Sequence, residues 1–141
     1  MTDIYHSCVA VAPVCAQKRV PFDRSFIVIG QNWASASFQM HVRLSPGDTS
    51  SPLISLGNAA AGSQGISATY DAAYPMPDGS GNVAATIIRA RIDEATIEGF
   101  ALASPSYQVV QLYYDILVTP VGADKIVLCG GVFSIEPGVT I

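Results

Sequence analysis

The residues able to do chemistry are few and scattered. The 141-residue chain holds two histidines, His6 and His41, and three cysteines, Cys8, Cys15 and Cys129. Three is an odd number, so at least one thiol has no partner within the chain, and the seven-residue separation of Cys8 and Cys15 matches no zinc or redox spacing. His6 and Cys8 form an H-x-C pair, which ligates zinc only where further ligands converge, and the sequence signals none. His41 stands alone on the polar side of a strand pattern and reads as a solvated histidine. Cys129 lies in an apolar strand and reads as a small buried hydrophobe. Asp115 could pair with a second carboxylate for glycoside hydrolysis, which needs two at a defined separation. Asp93, Glu94 and Glu98 are the nearest candidates, and Asp93 is assigned to capping a helix. A structural Asp115, facing Arg89 or Arg91 on a neighbouring strand, is the better reading. There is no G-x-S-x-G elbow, no P-loop and no G-x-G-x-x-G. No catalytic, cofactor-binding or metal site is expected, and the chain is read as not an enzyme.

The elements that would position such residues follow from alternation of apolar and polar side chains. In residues 38–44, Phe38, Met40, Val42 and Leu44 share one face, while Gln39, His41 and Arg43 share the other. In residues 110–119, Val110, Leu112, Tyr114, Ile116 and Val118 line one face. Residues 84–92 alternate Ile88, Ala90 and Ile92 with Arg89 and Arg91. Weaker strands are predicted over 25–29, 53–56 and 65–70. In residues 126–135 the parity changes between Ile126/Leu128 and Phe133/Ile135, which predicts a β-bulge at Gly130-Gly131.

Turn chemistry at 45–48, 77–79 and 120–124 separates these runs, and the last should close an antiparallel hairpin. Residues 59–65 and 72–82 read as loops. One helical turn over 94–99 is predicted, with Asp93 as N-cap and Ile92 and Ile97 as a hydrophobic staple. The sum is an all-β fold, an antiparallel immunoglobulin-like β-sandwich over residues 25–141. Residues 1–24 are expected to form an extended N-terminal arm, interrupted by Pro13 and Pro21, that lies along a neighbouring subunit and adds a strand to its edge.

Composition restricts the partners. Hydrophobic residues make up 50% of the chain and charged residues only 13%, about half the usual share, so apolar surface should be buried against other subunits. With two Lys, five Arg and a net charge of −4, the chain has no basic patch, and nucleic-acid binding is not expected. No run reaches the ~18 apolar residues of a membrane span. Residues 8–16 are apolar, but Asp3 and the lack of Lys or Arg before them argue against a signal peptide, so reduced thiols are expected.

Three stretches resemble the immunoglobulin-like modules that begin phage baseplate and tail-fibre proteins: residues 37–43 (SFQMHVR), residues 92–97 (IDEATI), and Tyr114-Asp115-Ile116 followed by residues 130–135 (GGVFSI) and 137–140 (PGVT). The likeness runs from about Phe26 to Ile141. It implies a structural protein of the virion, assembled in the bacterial host cytoplasm, that forms homo-oligomers and positions other tail proteins. The arm is foreign to that pattern, and the chain ends where longer members continue; both point to a stand-alone adaptor. A head-decorating or head-fibre subunit is a variant of this reading. A receptor-binding sandwich that stacks glycans on Tyr70, Tyr74, Tyr107 and Tyr113 is the alternative.

Overall fold

The computed structural model of the protein describes residues 10–99 and 109–137. Two sheets face each other across one apolar core, which makes the all-β sandwich expected from the alternation. The strands are β1 (Ala10–Val11), β2 (Val14–Gln17), β3 (Phe22–Ile29), β4 (Ser37–Arg43), β5 (Ile54–Leu56), β6 (Gly65–Pro75), β7 (Asn82–Ile92), β8 (Val110–Thr119) and β9 (Ile126–Glu136). A short helix, α1 (Glu94–Glu98), follows β7. The larger sheet runs β1-β9-β8-β4-β5, with β2 continuing β1 along β9; the smaller runs β3-β7-β6.

The alternation predicts the inward face well. Phe38, Met40 and Val42 of β4 and Val110, Leu112, Tyr114, Ile116 and Val118 of β8 are buried. They meet Phe22 and Val28 of β3 and Ile88, Ala90 and Ile92 of β7. The rings of Phe22 and Phe133 pack across the two layers at 5.2 Å between centroids. Leu44, expected on the same face as Val42, lies one residue past the end of β4 and is exposed. Each aliphatic side chain buried in this way contributes roughly 1.5–3 kcal/mol of transfer free energy.

The arm departs from expectation in three ways. Residues 10–17 pair with β9 of the same chain rather than a neighbour's edge, and they do so in parallel, so the larger sheet is mixed. The boundary expected at residue 24 falls inside β3. The register is continuous from Ala10↔Cys129 to Gln17↔Glu136, and Pro13, which has no N–H to donate, divides it into β1 and β2. Tyr114 secures the break, because its hydroxyl donates to the Ala12 carbonyl.

The bulge also sits elsewhere. Ile116 faces Cys129 but Leu117 faces Val127, so the extra residue is Leu128, not the glycine pair. Both Leu128 and Phe133 are thereby buried. The glycines serve close approach instead. A side chain on Gly130 would meet the Tyr114 carbonyl oxygen at 2.8 Å, and one on Gly131 would lie 3.4 Å from the Ala12 backbone.

Two loops hold more structure than their composition suggests. Within residues 72–82, β6 continues to Pro75 past a bulge between Asp71 and Tyr74, and β7 already begins at Asn82. At α1, Asp93 holds the extended N-cap backbone but its carboxylate makes no capping bond. Gln64, from the 59–65 loop, does that work: its amide oxygen accepts from the Asp93 N–H at 2.9 Å and from the Thr96 hydroxyl at 2.8 Å. Ile92 and Ile97, the expected staple pair, are both fully buried.

Candidate functional site

The outer face of the larger sheet gathers the reactive side chains that the sequence leaves scattered. On β4 the outward residues are Gln39, His41 and Arg43. The antiparallel register sets His41 opposite Asp115 and Arg43 opposite Tyr113 on β8. In the next strand, Asp115 faces Gly130 and Tyr113 faces Val132. Because Gly130 carries no side chain, the face is notched beside Asp115. The 45–49 turn rises at one end and completes a groove of about 590 Å³ lined by His41, Arg43, Tyr113, Asp115 and Gly130.

The walls are held by local hydrogen bonds. Asp48 accepts from the Ser50 N–H at 2.9 Å and the Ser50 hydroxyl at 2.7 Å, and these bonds draw its carboxyl below the usual range. Arg43 donates to the Ser50 carbonyl, which ties the strand end to the turn. A second Arg43 nitrogen lies 3.5 Å from Nδ1 of His41, and the Gln39 amide lies 2.9 Å from Nε2. Facing a guanidinium, Nδ1 accepts, while the Gln39 amide nitrogen lies against Nε2. His41 is therefore half-buried and oriented, rather than the freely solvated residue expected. Tyr113 receives a hydrogen bond from Gln111 at 3.0 Å. Asp115 is exposed and accepts no hydrogen bond among the described residues.

The expected pairing of Asp115 with Arg89 or Arg91 is wrong, because those arginines lie on the other sheet. Their partner is Asp23. Arg89 grips it with two bonds of 2.7 and 2.6 Å, and Arg91 adds a contact at 3.4 Å. These bonds, chiefly those from Arg89, hold the Asp23 carboxyl below its ordinary value. Asp93 binds Arg91 at 3.3 Å and Glu98 pairs with Arg19, so these carboxylates are occupied at the α1 corner. Asp115 gains no second carboxylate from them.

The cysteines lie apart. Cys129 is buried, and its thiol is pushed up to about 11 by burial, with Asp115 adding to the rise. Cys15 is exposed on β2; desolvation and the nearby Glu136 raise its thiol, which opposes thiolate formation. Among the described residues no three His, Cys, Asp or Glu side chains converge as a metal site. His6, Cys8 and Tyr107 lie outside the described residues. Of the remaining tyrosines proposed for glycan stacking, Tyr70 and Tyr74 belong to β6 of the smaller sheet and Tyr113 to β8 of the larger one, so they do not form one platform.

A smaller hollow of about 290 Å³ lies along β4 beside Lys125, with no second charged group in its lining. No described helix is long and apolar enough to cross a membrane. The groove thus offers donors, one unpaired carboxylate and one aromatic face, but no nucleophile–base pair. No family model matches the chain, and no curated protein matches it.

Proposed function

We propose that the chain is a non-enzymatic structural subunit of a tailed-bacteriophage particle, a tail or baseplate adaptor that assembles with copies of itself and with other tail proteins. The observation that supports it most is the edge of the smaller sheet. β6 is eleven residues long and pairs only with β7, apart from one bridge between Ile66 and Asn58 at its start. From Ser67 onward no described strand covers its outer side, so alternate N–H and C=O groups point into solvent. Natural edge strands of this length are ordinarily guarded by lysines, bulges or proline. Here the bulge and Pro75 guard the far end, while residues 67–71 carry no Lys or Arg. A stretch of this kind is suited to accepting a strand from another chain.

Two further features agree. At the β8–β9 hairpin, Val121 is 78% exposed and Ile126 and Val127 more than a third exposed, an apolar tip on a chain already poor in charge. The outer face of β6 presents Ser67 and Thr69, small side chains that let another backbone approach closely, before Asp71 at the bulge.

The test is purification of tagged chain from infected cells. The proposal expects it to co-purify with tail components in fixed stoichiometry and to remain with assembled particles. Recovery of the chain alone, with particles lacking it, would overturn the reading.

A further inference from the structure

We propose that the groove between β4, β8 and the 45–49 turn is a saccharide-binding site that takes a pyranose ring. This goes beyond an assembly role, which uses the β6 edge of the other sheet.

The chemistry of the lining selects the ligand. The Asp115 carboxylate has two oxygens that accept no hydrogen bond from the described residues, so it can take the protons of two neighbouring hydroxyls. Across the strand pair, His41 is held by Gln39 and Arg43, and Arg43 uses two of its five N–H donors on His41 and Ser50. The remaining guanidinium donors serve ligand oxygens. A ligand must therefore offer hydroxyl donors on one side and oxygen acceptors on the other within one small ring, which describes a polyol. Tyr113, directly opposite Arg43, supplies the flat apolar wall against which a sugar's C–H face lies. Gly130 leaves the floor beside Asp115 open, and the close approach of the Tyr114 carbonyl keeps a side chain out of that position.

The volume fits. About 590 Å³ falls within the ~300–1,000 Å³ of small-molecule sites, which combine aromatic walls with a few placed polar groups. Charge argues against an anion as the ligand. Arg43 is offset by Asp115, and Asp48 stands on the adjacent turn with its carboxylate turned to Ser50, so a phosphate would meet two carboxylates for one guanidinium.

The experiment is a titration of the full chain followed by amide and side-chain NMR shifts. The probes are methyl α-glucopyranoside, methyl α-mannopyranoside, methyl β-galactopyranoside and N-acetylglucosamine, with inorganic phosphate alongside. The expected result is saturable shifts at His41, Tyr113 and Asp115 with at least one sugar. Affinity should fall on the order of tenfold or more in both Asp115→Asn and Tyr113→Ala, and stay unchanged in Tyr70→Ala. Asp115→Asn alters an exposed, nearly isosteric side chain, which keeps the test valid should Tyr113→Ala lose its fold. Shifts with phosphate but no sugar, shifts outside the groove, or no saturable shift with any sugar would each overturn the proposal.

Discussion

Replacing Tyr114 with Phe removes a side-chain hydrogen bond that ties the N-terminal strand pair to β8. The ring is 5% exposed and packs edge-on against Phe133 at 6.3 Å between centroids, contacts that Phe retains. What Tyr114→Phe removes is the hydroxyl that donates to the Ala12 carbonyl. That carbonyl sits where Pro13 interrupts the ladder, between Ala12 N–H, bonded to Gly130 at 3.0 Å, and the renewed pairing at Val14. A hydrogen bond of this type contributes about 0.5–1.5 kcal/mol net, and leaving a buried acceptor unpaired costs about 1–3 kcal/mol. Ala12 is half-buried, so the expected loss is about 1–2 kcal/mol, a factor of roughly 5–30 in an equilibrium constant. The loss should concentrate in local opening of residues 12–17, because the core contacts of β8 are kept. Amide hydrogen exchange of Val14–Gln17 should accelerate by that factor, while that of Leu112, Ile116 and Ile135 accelerates only as far as global stability falls. If those arm amides exchange at the wild-type rate, or if every amide accelerates equally, the tie is not what holds the arm.

Three further outcomes follow from named contacts. Gln64→Ala should destabilise the α1 corner by about 0.5–2 kcal/mol, the range for losing a helix cap, and by more than Asp93→Ala does; the order of urea midpoints decides it. Asp23 has a lowered carboxyl in the folded chain, so its stabilising contribution is complete above its ordinary value of 3.8 and is lost as pH falls through the lower folded value. With its partial exposure discounted, Asp23→Asn should cost about 0.5–1 kcal/mol at neutral pH and nothing further in acid, as read by urea unfolding across pH. Cys129 behaves in the opposite sense. Its thiol is raised from 9.0 to about 11, so its contribution is intact below pH 9 and is lost as pH climbs from 9 through about 11. The fall should approach 1.36 kcal/mol per pH unit for this group, and Cys129→Ala should flatten it.

How far the sequence announces this structure depends on what each residue's neighbours are. β8 is legible because each inward side chain is large and apolar while the outward ones, Leu117 apart, carry polar groups. β6 is only partly so. Its Ala, Ser, Thr and Tyr residues sit at a sheet edge, mostly exposed on both faces, and Ala-Ala-Tyr-Pro at its end reads as loop although Tyr74 and Pro75 still pair with Val83 and Asn82. The parity change in β9 correctly signals a bulge. Its place is misread because glycine can serve either a bulge or a close approach, and at Gly130-Gly131 the neighbouring strands require the second.

The groove was less visible still. His41 and Asp115 are 74 positions apart, and only the β4–β8 register brings them face to face. Nothing local marks β8 as the neighbour of β4 rather than of β7, so the sequence alone pairs Asp115 with the arginines of the wrong sheet. The alternation places His41 and Arg43 on one outward face and Tyr113 and Asp115 on another, which is the part of the site that local pattern can show. The helix cap escaped for a similar reason. Asp93 has the residue type and position of a cap, but Gln64, from a loop about thirty residues earlier, takes the Asp93 N–H and the Thr96 hydroxyl, and the Asp93 carboxylate turns to Arg91.

Sedimentation velocity of the full chain beside Thr69→Lys tests whether the β6 edge drives assembly. Thr69 is exposed on β6 opposite Ile87, so a lysine there leaves the core intact while guarding the edge. The expected result is a wild-type species heavier than the 14.8 kDa monomer and a folded variant shifted toward that mass. A wild-type chain that remains a 14.8 kDa monomer at every concentration, or a variant that assembles as the wild type does, would contradict it.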